Sequence, residues 1–250
     1  MFVGLRRFNL AMAALHAVQG ALILVLATDF ALPVTASFLE FDPATSALAP
    51  VQRILAELPL APLIAAFLFV SAGAHLAMGG PCYESYVRDL RKQRNVARWI
   101  EYSVSSSIMI VVIAQLAGIY DVVALIGLFA INATMILFGW VMEVFNTPRR
   151  RVDWLPFWFG SFAGAVPWIG ISIYLFGAGG DGPGTPGFVY GIFASLFVFF
   201  NAFALNMVLQ YRKRGRWADY LFGERIYVWL SLLAKSALAW QVFAGTLQPV

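Results

Sequence analysis

Seven stretches of this chain are apolar for long enough to cross a lipid bilayer, which removes most of the folds open to a protein of 250 residues. They fall at approximately 8–28, 60–80, 96–118, 121–145, 154–176, 186–211 and 224–246. About 20 apolar residues make a helix that spans the hydrocarbon. Such a helix satisfies its own backbone polar groups, which an open sheet in lipid cannot do. Hydrophobic residues are 61% of the chain and charged residues only 12%, about half the charged share of a soluble domain. The expected fold is an all-α membrane protein, a seven-transmembrane-helix bundle that forms one domain over residues 1–250 in the lipid bilayer. Two connections carry information. Segment 177–187, GAGGDGPGTPG, reads as a turn that cannot continue a helix. Segment 29–59 is longer and alternates over Val34–Leu39, which predicts a small hairpin.

The basic residues set an orientation. Arg6 and Arg7 precede the first span. Arg88, Arg91, Lys92, Arg94 and Arg98 lie in or beside the second loop, Arg149, Arg150 and Arg151 in the fourth, and Arg212, Lys213, Arg214, Arg216 and Arg225 in or near the sixth. The opposite side holds only Arg53, a bias of fifteen to one. Excess Lys and Arg mark the cytoplasmic face, so the N-terminus is expected inside the cell membrane and the C-terminus outside. The net charge of +4 is confined to these short loops, which points to anionic lipid headgroups and away from nucleic acid. Arg6 and Arg7 ahead of an apolar run imitate a secretory signal. The run is long enough to span and passes through His16 and Gln19 without a clean cleavage site, so it reads as a first helix. The one cysteine, Cys82, excludes an internal disulfide and lies beside a basic loop.

Against this background the ionisable residues inside the spans stand out. Lys235 lies mid-span in WLSLLAKSALAWQ, where a lysine costs roughly 2.5–3.5 kcal/mol even on the insertion scale. It is either a structural cation paired with a carboxylate or an amine desolvated for Schiff-base chemistry. Glu101, in RWIEYSVSSS near the cytoplasmic end of the third span, is its natural partner. Side chains tilt toward a helix N-terminus, which carries Lys235 toward the level of Glu101, and a carboxylate there favours the protonated form of a Schiff base. His16 and His75 fall in the cytoplasmic halves of the first two spans. Each alone reads as a packed core residue; together at the depth of Glu101 they suggest a polar, watered pocket. Among the aromatics, Trp168 after Pro167, Phe200 and Trp240 are candidates for walls of an apolar slot.

The stretches RWIEYSVSSSIMIVVIAQLAGIYDVVAL, NATMILFGW, LPFWFG, AVPWIG, PGFVYGI and SLLAKSALAWQVFAGTL resemble the heliorhodopsins over essentially the whole chain. FALPVT, SAGAHL and GERIY do so as well, and SxxxK followed by SALAWQ is the most specific of them. The resemblance implies a bundle of rhodopsin type with all-trans retinal joined to Lys235 and Glu101 as its counterion. Ser231, Tyr102, His16 and His75 would surround the linkage. It also implies an N-terminus inside, an extracellular β-hairpin in the first loop, and a homodimer. Proton-pumping rhodopsins carry a carboxylate on the third helix, a threonine four residues later and a donor carboxylate eleven later; here these are Glu101, Ser105 and Val112. The aspartate those pumps place one turn before the lysine is here Ser231.

An apolar donor position argues against vectorial pumping. The expected function is photosensory: light absorbed by the chromophore alters the helices and an unidentified cytoplasmic signalling partner. The alternatives are a light-gated or slow light-driven ion pathway past Glu101 and the histidines, and a transporter without chromophore gated by Lys235 and Glu101. No nucleophile–base constellation, phosphate loop or metal-spaced cluster supports a conventional enzyme or a metal site.

Overall fold

The computed structural model describes residues 2–147, 151–177 and 184–249. In chain order they form α1 (Phe2–Leu26), β1 (Ala31–Asp42), β2 (Ala47–Pro59), α2 (Leu60–Gly79), α3 (Tyr83–Arg91), α4 (Val96–Leu116), α5 (Val122–Asn146), α6 (Leu155–Gly177), α7 (Gly187–Tyr211) and α8 (Tyr220–Val242). All of the helices except α3 are long and apolar enough to cross a membrane, and these seven correspond to the seven apolar runs. Boundaries move outward where the first turns are charged or mixed. The first span begins at Phe2 and takes Arg6 and Arg7 into the helix, and the last begins at Tyr220. Beyond Val242 the last span loosens into a π-helical turn, Phe243–Leu247.

Burial shows how the spans are arranged. In α4, 61% of the apolar stretch is buried, against 17% in α5, so α4 is the inner post and α5 shows most of itself to lipid. Phe162 and Val123 are 77% and 72% exposed. Such residues belong on a surface solvated by acyl chains, where outward apolar side chains carry no penalty. The main core joins Ile64, Phe67 and Leu68 of α2, Ile110 and Ile113 of α4, Ile171 of α6, Ile192 and Leu196 of α7, and Leu238 and Val242 of α8.

Capping residues start several helices. Asn95 accepts from the Arg98 amide (3.1 Å), Asp121 from Val123 and Ala124 (both 3.0 Å), and Asp219 from Leu221 (3.0 Å).

The expected hairpin is present. β1 and β2 pair antiparallel from Ala31↔Pro59 to Asp42↔Ala47, with an irregularity between Val34 and Thr35. Its turn is closed by the Asp42 carboxylate, which accepts from Ala44 N (2.9 Å) and Thr45 Oγ1 (3.0 Å), and these bonds hold that carboxyl below its usual range. Arg53 pairs with Glu40 across the strands. The hairpin is latched to the bundle. Thr35 N donates to the Tyr120 carbonyl and Thr28 N to the Leu247 carbonyl, both at 2.8 Å.

The opposite end of the bundle, which carries the basic loops, differs from expectation in two places. The second loop contains α3, an amphipathic helix whose Tyr86 and Leu90 pack on Leu5 and Met78. Burial pushes the Tyr86 hydroxyl above its ordinary range. Arg98, counted above among the loop cations, is 3% exposed and lies within the bundle. Arg149, Arg150 and most of the 177–187 turn lie outside the described residues.

Candidate functional site

Lys235 is the fixed point of the site. It lies fifteen residues into α8, yet its amine meets a carboxylate only five residues into α4, because the lysine projects back toward the start of its own helix. Lys235 Nζ is 3.2 Å from Glu101 Oε1, and both side chains are 4% exposed. The same amine donates to Ser231 Oγ at 2.6 Å. Ser231 is one turn earlier on α8, so the SxxxK spacing places both groups on one face. A third partner escaped the sequence reading: Ser71 Oγ of α2 lies 2.6 Å from Glu101 Oε1 and donates to it. Its one sequence signal is its place a turn before His75.

Tyr102 and the histidines surround this pair. Lys235 Nζ lies 4.9 Å from the centre of the Tyr102 ring, and the Tyr102 hydroxyl donates to the Tyr227 carbonyl (2.8 Å), joining α4 to α8. His16 and His75 stack at 5.7 Å with rings 8° from parallel. His75 Nδ1 is 2.8 Å from Asn9 Oδ1, a carbonyl oxygen that can only accept, so Nδ1 carries the proton. His75 Nε2, both His16 nitrogens and Ser105 Oγ are buried without a protein partner among the described residues. Buried polar atoms in that state are costly unless a hydrogen-bonding partner reaches them.

On the other side of Lys235 the environment is apolar. A cavity runs from Lys235 and Ser231 between Tyr102 and Met109 of α4, Ile136 of α5, Phe157 of α6 and Phe203 of α7. A second cavity shares Met135, Ser161, Phe200 and Ala204 with it and continues past Trp168. Phe200 therefore stands between the two. Trp168 meets Phe193, Phe197 and Phe200 edge-on at 5.3–5.4 Å.

Trp240 lines neither cavity. Its indole donates to Gln19 Oε1 of α1 at 3.0 Å, and its ring packs on Phe243. Five helical residues beyond Lys235 is a rotation of about 140° from the lysine, which turns the indole toward α1. The rest of the wall is built by residues not singled out from sequence, among them Trp99, whose ring lies so close to Gly139 that a Cβ there would overlap it.

At the basic end the bundle buries a second ionic group. Arg98 pairs with Glu143 of α5 (2.6 Å) and with Glu224 of α8, all three side chains being at most 4% exposed. Asn95 N and Trp99 Nε1 donate to Glu143 Oε2 at 2.9 and 2.7 Å, and Asn95 Nδ2 donates to Glu224 Oε2 at 2.8 Å. The guanidinium lies 4.3 Å from the centre of the Trp99 ring and 4.0 Å from that of Tyr227.

What the site can do follows from this division. One amine has a carboxylate and a polar pocket behind it and an elongated apolar slot before it. The arrangement suits a long apolar carbonyl compound held through a positively charged nitrogen. The family described as Heliorhodopsin matches residues 5–247 of the chain. No curated protein matches it.

Proposed function

From its membership of the heliorhodopsin family, to which this chain belongs, we propose a photosensory protein in which retinal is bound through Lys235, with Glu101 as counterion and without net proton pumping. The family implies a retinal chromophore, and the residues present fit one. The apolar slot begins at the only lysine in a span, and a buried carboxylate stands 3.2 Å from its amine. That buried ion pair at the mouth of the slot carries the reading. When bound, retinal in its all-trans form supplies visible absorption and a change of shape on excitation. Lys235 anchors it, Glu101 balances the positive nitrogen, and Ser231 and Ser71 orient the two partners. Trp168, Phe200 and Tyr102 confine the polyene. The stacked histidines stand behind Glu101, where a released proton would be received.

The non-pumping reading is supported along α4. Val112 is fully buried in the main core and offers no donor carboxylate. Cells that hold the retinal-loaded protein should show a visible band and no sustained, uncoupler-sensitive change of external pH under continuous light. A steady light-driven proton current would instead favour the ion-pathway reading.

The charge bias supports an orientation with the N-terminus and the basic loops in the cytoplasm, where a signalling partner would dock. A tag at the C-terminus should be labelled on intact cells, and one at the N-terminus only after permeabilisation. The reverse pattern overturns that orientation. The family resemblance also supports a homodimer as the assembled form.

A further inference from the structure

The Schiff-base region leaves one buried ionic group without a task. At the basic end, one guanidinium is shared by two carboxylates, Glu143 and Glu224, both almost wholly shielded. With all three ionised the cluster carries a net negative charge. Unbalanced charge in such a place is costly, and a bound proton removes it. Around the cluster stand the hydroxyls of Tyr220, Tyr227, Tyr211 and Tyr86, all neutral groups near neutral pH. None of them supplies a balancing cation, and Arg98 is the cation paired with both carboxylates.

We propose that the Glu143–Arg98–Glu224 cluster is a proton-binding site, and that its proton rests on Glu143 and is shared with the Tyr220 hydroxyl.

The hydrogen bonds choose between the two carboxyls. Those described for Glu224 come from Asn95 Nδ2 and Arg98, both pure donors, so a proton there would have no acceptor. Three of the groups bonded to the Glu143 carboxyl are also pure donors: Asn95 N, Trp99 Nε1 and Arg98. The fourth is the Tyr220 hydroxyl, 3.1 Å from Glu143 Oε1. A hydroxyl can turn to accept. Tyr220 is the first residue of α8, at the basic end, and its hydroxyl is the one group of the four that can accept. On the inner side Trp99 lies between Glu143 and the apolar slot, bonded to the first and lining the second. The site is thus shielded from the slot by Trp99.

The test is infrared spectroscopy of the retinal-loaded protein in membranes, reading the carbonyl stretch of a protonated carboxylic acid and its shift in D2O. One such band is expected in the dark and should persist in Glu101→Gln, which excludes the counterion as its source. It should be lost in Glu143→Gln. It should also vanish in Glu224→Gln, because one guanidinium then balances one carboxylate and no proton is required. Tyr220→Phe removes the acceptor and should move the band to higher frequency while leaving the visible chromophore in place. Absence of the band from the unmodified protein overturns the proposal. A band unmoved in Tyr220→Phe overturns its assignment to Glu143. These readouts do not depend on whether the protein signals or conducts, and the unmodified protein and Tyr220→Phe decide the matter even if a Gln variant does not fold.

Discussion

Lys235→Ala is expected to abolish the visible band completely, because no other span offers an amine at the mouth of the slot. The substitution has a second effect that its design must remove. Taking away one partner of a buried ion pair leaves the other charge uncompensated, at a cost of about 3–5 kcal/mol. Glu101 would stand alone at 5% exposure with Ser71 as its remaining short contact, and a loss of colour could then reflect a loss of fold. The double variant Lys235→Ala/Glu101→Gln removes both charges and should recover most of that stability, measured as resistance to thermal unfolding in detergent, while staying colourless with added retinal. A hydroxylamine-sensitive visible chromophore in either variant would refute Lys235 as the point of attachment.

Glu101→Gln alone is expected to keep the chromophore and shift its absorption to the red by tens of nanometres. With retinal bound through Lys235, the ground-state positive charge would sit at the nitrogen beside the carboxylate. At the 3.2 Å separation of Lys235 Nζ and Glu101 Oε1, an effective dielectric of about 20 makes that attraction about 5 kcal/mol. On excitation that charge would move along the polyene and away from Glu101, so the carboxylate would stabilise the ground state more than the excited one. Neutralising it narrows the gap. Ser71 stays in place and can still hold an amide in that position. Chloride from solution could replace the lost charge through the histidine side, so the spectrum should be taken in chloride-free buffer and then with added chloride. An unchanged band without chloride would show that the counterion is another group.

The spans, the hairpin and the Lys235–Glu101 pair were legible in the sequence for a common reason. Each stands out as a pattern in the sequence: long apolar runs, alternation within Val34–Leu39, a charge where charge is expensive. The Glu143–Arg98–Glu224 cluster was not legible. Arg98 occupies the first turn of α4, Glu143 the last turn of α5 and Glu224 the second turn of α8. At those positions charged residues usually reach interfacial water, so only the packing of three helices reveals that these do not. The helix α3 was hidden for the opposite reason. YESYVRDLR is too short and too charged to stand out against apolar spans of twenty residues or more, and its stability comes from burying Tyr86 and Leu90 on α1 and α2. Trp240 shows the limit of reading aromatics by type, since its angular offset from Lys235 outweighed its chemistry.

The latch at the hairpin end has a mechanical consequence. Two backbone bonds there join segments far apart in the chain, Thr28 to Leu247 and Thr35 to Tyr120, and so tie α1, the hairpin, the α4–α5 corner and the end of α8 into one rim. A helix tilted by an event in the slot is then a lever with its fulcrum at that rim. For α5, of 25 residues, the arm is about 37 Å, and a tilt of a few degrees carries the free end by about 2 Å. The displacement grows with distance from the fulcrum, so the rim that bears α3 and the basic loops receives the largest stroke, while the hairpin stays where it is.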